Sequence, residues 1–90
     1  MSHTVDNKKK LLNRVRRIRG QVEAVERALE DEIGCAEIMM LLAASRGAMH
    51  SLMIELLGEH LHTHVVDPEK SDERHVAAEE VAKVFRMFLR

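Results

Sequence analysis

A run of apolar residues spaced 4, 3, 4, 3 and 4 apart (Leu11, Val15, Ile18, Val22, Val25 and Leu29) restricts this chain more than any other feature. Such a run is a heptad seam. It lines one face of a helix nearly three repeats long and is incompatible with the two-residue period of a strand. The rest of the composition agrees. Hydrophobic residues make up 46% of the 90, yet Phe85 and Phe88 are the only aromatic ones, and there is one Pro. A core of Leu, Val, Ile, Met and Ala suits long helices rather than a β-sandwich or barrel. The length gives one small domain spanning residues 1–90.

Three helices follow from the punctuation. Asp6 is a candidate N-cap for the first, and Glu30-Asp31-Glu32-Ile33-Gly34 is the polar turn that ends it. The second runs from about Cys35 to about His64 and carries two adjacent seams. Ile38, Leu41, Ser45, Ala48 and Leu52 form one. Cys35, Met39, Leu42, Arg46, Met49, Met53, Leu56, His60 and His64 form the other. Pro68 stops this helix, because the residue before a proline is pushed out of helical geometry. Ser71 or Asp72 then caps a third helix, with Val76, Val81, Val84, Phe85 and Phe88 as its expected buried side. Helices one and two form an antiparallel hairpin in which only one seam of the second is used. The spare seam predicts self-association, at least a homodimer, since so elongated a subunit buries too little surface alone.

Charge is distributed unevenly. Residues 1–20 hold Lys8, Lys9, Lys10, Arg14, Arg16, Arg17 and Arg19 against Asp6, a net of +6; the remaining seventy hold seven basic and fourteen acidic groups, a net of −7. The overall charge of −1 therefore does not oppose nucleic-acid binding. Lys10, Arg14 and Arg17 fall at i, i+4 and i+7, one stripe beside the seam, suited either to solvent or to DNA phosphates. Arg46 is a further candidate for phosphate, or for an ion pair between chains. Nothing here matches a zinc finger, a basic zipper or an aromatic-bearing RNA module, and the helices read too long for a small helix-turn-helix. No apolar run approaches the length of a membrane span, and no secretory leader is visible, which points to a cytoplasmic chain. A single cysteine cannot form an intrachain disulfide.

Cys35 becomes informative beside the histidines. His60 and His64 are four residues apart on one helix and face the same way, a spacing that suits two metal ligands. Cys35 lies on the same stripe but about 37 Å away along a straight helix, out of reach within one chain. If the second helix pairs antiparallel with a two-fold mate, Cys35 of one chain falls opposite His60 or His64 of the other, with the axis near residues 47–50. The hairpin adds a second constraint: a turn centred near residues 32–33 sets position 3 opposite about position 62. His3, His60 and His64 of one chain and Cys35 of its mate can then meet, with the terminal amine close by. The alternative is a structural thiol with incidental surface histidines. One thiolate with two or three imidazoles suits Ni(II), Co(II) or Zn(II) rather than Cu(I), which prefers a second thiolate. A second use of Cys35 is as a reactive thiol, activated by a base such as His60.

The stretch Arg14-Val15-Arg16-Arg17-Ile18-Arg19-Gly20-Gln21-Val22, the Cys35 that opens the second helix, Ala44-Ser45-Arg46-Gly47-Ala48, and His60 with His64 together resemble the CsoR/RcnR family of bacterial repressors, over essentially the whole chain. The resemblance implies an all-α subunit of three helices, a dimer paired through the second helix, and a disc-like dimer-of-dimers homotetramer. It also implies a repressor rather than an enzyme, holding double-stranded operator DNA when ligand-free and releasing it on binding an effector, so that an efflux or detoxification gene is expressed. The family's copper sensors have a second Cys where this chain has His64, and a Tyr where it has Gly34. Its formaldehyde sensors pair the Cys with an N-terminal Pro, where this chain has Ser2. His3, Cys35, His60 and His64 match the nickel/cobalt sensors. Sensing of formaldehyde or another electrophile through Cys35 and the N-terminus is the alternative.

Overall fold

Three α-helices succeed one another in the computed structural model, which describes residues 7–70 and 72–89: α1 (Lys8–Glu30), α2 (Cys35–Leu61) and α3 (Glu73–Phe88). No strand occurs among the described residues. The all-α class and the long antiparallel hairpin with a shorter C-terminal helix are as the apolar periodicity predicts. The expected caps Asp6 and Ser71 lie outside the described residues; Asp72 stands at the N-cap position of α3 but makes no side-chain capping bond.

The turn between α1 and α2 is built from acidic residues. The Ile33 N–H reaches back to the Ala28 carbonyl at 2.9 Å and the Glu32 N–H to that of Leu29 at 3.3 Å. This 6→1 and 5→2 pair is a Schellman ending, which requires its C′ residue in the left-handed region. That residue is Glu32, with φ 55°, and not the nearby Gly34.

Facing residues set the register of the hairpin. Asn7 meets Glu59, and Arg14 meets Ser51, so opposed residue numbers add to 66 or 65, as expected for a turn at 32–33. The Ile38, Leu41, Ser45, Ala48 and Leu52 seam of α2 is covered throughout. Ser45 is buried at its centre, and its hydroxyl donates to the Leu41 carbonyl one turn back at 3.0 Å. A small residue that satisfies its own hydroxyl within the helix is tolerated there.

On α1 the covered face differs from the expected seam. Leu11, Ile18 and Val25 turn inward, but with Arg14, Gln21 and Ala28, while Val15, Val22 and Leu29 are exposed at 48%, 47% and 61%. The apolar residues of α1 occupy two adjacent stripes, and α2 covers only one edge of them. A similar correction applies to α3. Its inward line is Ala77, Val81, Val84 and Phe88, spaced 4, 3 and 4, whereas Val76 and Phe85 face outward. Ala77, 2% exposed, sets this choice because a methyl group lets the helices approach closely.

α2 keeps α-helical geometry to Leu61 and then widens into a π-helical turn, His62–Val66, closed by the Asp67 N–H on the His62 carbonyl at 3.0 Å. The helical path thus ends two residues later than expected and in a wider form. Pro68 forces Asp67 to φ −130°, ψ 63°, outside the helical region. The chain then reverses, and α3 runs back along the C-terminal half of α2, bringing Glu80 to His60 and Phe88 to His50. The N-terminal half of the second seam, Met39, Leu42, Arg46 and Met49, stays exposed.

The described chain measures 55 × 30 × 13 Å with a radius of gyration of 17.0 Å. A compact domain of this length would have about 12 Å. Only Ile18, Ala28, Ser45, Leu57, Ala77 and Val81 are buried among the described residues, which leaves most of the apolar surface without cover from its own chain.

Candidate functional site

His60 stands in the last turn of α2 and His64 in the widened turn beyond it. Their rings lie side by side, with centroids 4.9 Å apart and planes inclined by 55°. Both border a cleft of about 330 Å³ whose other wall is the start of α3, with Asp72, Glu73, Val76, Ala77 and Glu80. α3 is held there because its small Ala77 packs inward and its acidic residues flank the apolar line.

Each imidazole has a carboxylate neighbour from α3. His60 Nε2 is 4.0 Å from Glu80 Oε1. His64 Nδ1 is in direct contact with Glu73 Oε1. The second oxygen of Glu73 accepts from the backbone N–H of Glu69 at 2.8 Å and of Lys70 at 3.4 Å. The hydrogen bond from His64, followed by those two backbone donors, outweighs partial desolvation and holds the Glu73 carboxyl below the usual carboxylate range. An ionised carboxylate only accepts hydrogen bonds, so Nδ1 of His64 is the donor in this contact.

Sequence patterning singled out neither Glu73 nor Glu80. The available signal was their seven-residue spacing beside Ala77 and Val81, which puts two acids on the edge of an otherwise apolar face.

Cys35, the first residue of α2, is exposed. The helix between them keeps it about 37 Å from His60 of its own chain. Among the described residues no three His, Cys, Asp or Glu side chains are grouped so as to hold a metal ion. His3 lies outside the described residues. One subunit thus brings His60 and His64 together and leaves Cys35 at the opposite end. Two imidazoles at the edge of a polar cleft are donors of the type that Ni(II), Co(II) and Zn(II) accept.

Of the basic candidates, Arg14 is ion-paired with Glu55 of α2 and donates from Nη2 to Ser51 Oγ at 3.1 Å. Lys10 Nζ is 3.7 Å from the same Glu55 carboxylate. Arg17 borders a groove with Arg14, Ile18, Ala48 and Ser51, so these three lie along one flank of the hairpin. Arg46 borders a different groove, with Met49, His50, Met53, Phe88 and Leu89, and does not join that stripe within a subunit. No helix of the described residues is long and apolar enough to cross a membrane.

The sequence profile of the metal-sensitive transcriptional repressor family matches residues 7–87. Over 91 aligned residues the chain is 41% identical to an uncharacterised protein from the bioA 5′ region of Serratia marcescens, with all of both chains covered. It is 36% identical over 90 residues to the transcriptional repressor RcnR of Citrobacter koseri, again over the whole of both. Among solved structures, a Glu-to-His variant of the formaldehyde-responsive regulator FrmR from Salmonella enterica serovar Typhimurium is 45% identical. It superposes with a TM-score of 0.84, over 97% of this chain and 99% of that one.

Proposed function

This chain belongs to the metal-sensitive transcriptional repressor family, and from that premise we propose that it represses an efflux gene by holding operator DNA while metal-free and releasing it on binding Ni(II) or Co(II). The family consists of transcriptional regulators, not enzymes. The observation that carries the metal reading is the pair of adjacent imidazoles, His60 and His64, at one end of α2 with the exposed thiol of Cys35 at the other. A two-fold mate along α2 supplies what one subunit lacks. His60, His64 and His3 of one chain would hold the metal together with Cys35 of the second; Zn(II) fits the same donors. Bound there, the cation supplies positive charge and a fixed set of bonds that join two chains.

Two observations support assembly. The exposed half-seam of Met39, Leu42 and Met49 runs up to the position where the two-fold would fall. The described chain is also too extended to bury a core by itself. A homodimer through α2, and a homotetramer of two such dimers, gives that surface cover. As a single regulatory domain of this kind the protein acts in the cytoplasm on double-stranded DNA. Lys10, Arg14 and Arg17 line the phosphate-facing flank, and Arg46 joins it only across the assembly. The hairpin register supports a coupling between the two sites. Recruitment of His3 to the metal pulls the segment next to Lys8–Lys10 and shifts the basic stripe on DNA. His3→Ala should then keep measurable metal binding while uncoupling it from DNA release.

A second reading is favoured by the exposure of Cys35 and the 45% identity to FrmR: formaldehyde or another electrophile is sensed at Cys35 and the N-terminus. Fluorescence anisotropy on labelled operator DNA, titrated with Ni(II), Co(II), Zn(II), Cu(I) and formaldehyde, separates the two. Metal sensing predicts release by Ni(II) or Co(II) at one ion per subunit with a thiolate charge-transfer band. Electrophile sensing predicts release by formaldehyde with a covalent mass adduct.

A further inference from the structure

We propose that Glu73 is a positioning residue for His64: it fixes the imidazole tautomer whose Nε2 lone pair is the metal donor, and it ties that imidazole to the start of α3. The inference rests on the metal-sensing reading of His64 given above.

The geometry comes from two elements, a widened helical turn and the first turn of a regular helix. The widened turn at His62–Val66 carries His64 round toward α3. Glu73, in the first turn of α3, meets it with one oxygen. Its other oxygen is engaged by the backbone N–H groups of Glu69 and Lys70, so the carboxylate cannot swing away without releasing the linker. A carboxylate fixed in this way is an acceptor only. It selects the Nδ1–H form of neutral imidazole, fixes the ring about its two side-chain torsions, and raises the basicity of the opposite nitrogen. A carboxylate behind a ligating imidazole is worth roughly 10–100-fold in metal affinity where it has been removed from other sites. The same contact gives His64 a mechanical connection. A metal that moves this ring moves Glu73, and with it the linker and the first turn of α3.

Two readouts test the assignment. The first needs no metal: the ring nitrogens of His64 followed by nitrogen-15 NMR of the metal-free protein at about pH 8, where histidines are neutral. The native protein is expected to show His64 protonated at Nδ1. Glu73→Ala should revert it to the Nε2–H form that unconstrained imidazoles favour, and Glu73→Gln, which retains an acceptor oxygen, should keep Nδ1–H. The second is Ni(II) and Co(II) affinity measured by competition with a chelator. Glu73→Ala should weaken it by about 10–100-fold and Glu73→Gln by less. This rescue by the amide is not expected if Glu73 only stabilises the fold through its charge.

A native His64 protonated at Nε2, or a folded Glu73→Ala protein with native affinity, overturns the proposal. Where Glu73→Ala does not fold, a Glu73→Gln protein that loses the Nδ1–H form overturns it equally. Failure of the native protein to bind either cation overturns the metal-sensing reading itself, which is a separate result from native binding that ignores Glu73.

Discussion

Arg14 of α1 is ion-paired with Glu55 of α2, and the same guanidinium donates to Ser51 one turn earlier on that helix. A basic residue of the proposed DNA-facing flank is therefore also a clamp across the hairpin. Arg14 and Glu55 side chains are 25% and 28% exposed, so the pair is partly shielded from solvent. Arg17, one turn further along the flank, is exposed and makes no such cross-helix pair among the described residues.

This difference separates DNA affinity from stability. Arg17→Ala should weaken operator binding and lower the slope of log affinity against log salt by about one. Its unfolding free energy should stay within about 0.5 kcal/mol of native. Arg14→Ala should weaken DNA binding and also cost about 1 kcal/mol of stability, because Glu55 keeps only the more exposed Lys10 and Ser51 loses its donor. Anisotropy at several salt concentrations and urea unfolding measure the two effects. An unchanged salt slope in Arg17→Ala would remove that residue from the DNA surface.

Glu32 occupies a backbone conformation that favours glycine. At φ 55° its Cβ crowds the following carbonyl, a cost of roughly 1–2 kcal/mol that glycine avoids. Glycine in turn loses more chain entropy on folding. The net expectation for Glu32→Gly is a gain of about 0.5–1 kcal/mol, read as a raised urea midpoint with unchanged slope. A lowered midpoint would mean that the Glu32 side chain makes a contact worth more than the strain.

Much of this architecture is written in local patterns. The Ser45-centred seam and the turn at residues 32–33 fix the hairpin register, and Asn7 with Glu59 and Arg14 with Ser51 follow from it. The pairing of His60 with His64 needs only a four-residue spacing. What the patterns do not carry is rotation about a helix axis where apolar residues occupy two stripes. Val15, Val22 and Leu29 satisfy the same periodicity as Ile18, yet they face outward because α2 touches only one edge of the band. Val76 and Phe85 face outward for a related reason: the short line through Ala77 packs closer than a line of larger side chains. Glu73 depends on the wide turn after Leu61, which has no periodic signature of its own.

Acid should weaken the metal-free protein through Glu73. Its carboxyl titrates below the usual carboxylate range when folded, chiefly because His64 donates to it. A depressed folded value means that the stabilisation is complete above the unfolded value and is lost as pH falls through the folded one. In chelator-treated protein, the melting temperature of native relative to Glu73→Gln should therefore decline as pH drops below the ordinary carboxylate value. A difference that stays flat across that window would show that the contact contributes equally in both protonation states.

The two-chain site can be tested by complementation between two inactive variants. Cys35→Ala and His64→Ala should each lose the thiolate band or most of the Ni(II) affinity when assembled alone. In a mixed dimer one site lacks both residues, whereas the other draws Cys35 from one chain and His64 from its mate and is intact. Random reassociation of equal amounts makes half of the dimers mixed, so about a quarter of the full complement of sites returns. The measurement is the thiolate-to-Ni(II) charge-transfer absorbance after mild unfolding and refolding of the mixture. Recovery near a quarter requires Cys35 and His64 to act from different subunits, as the α2 helix separating them demands. No recovery, with each variant still folded and dimeric, would mean that both residues serve a site within one chain or none at all.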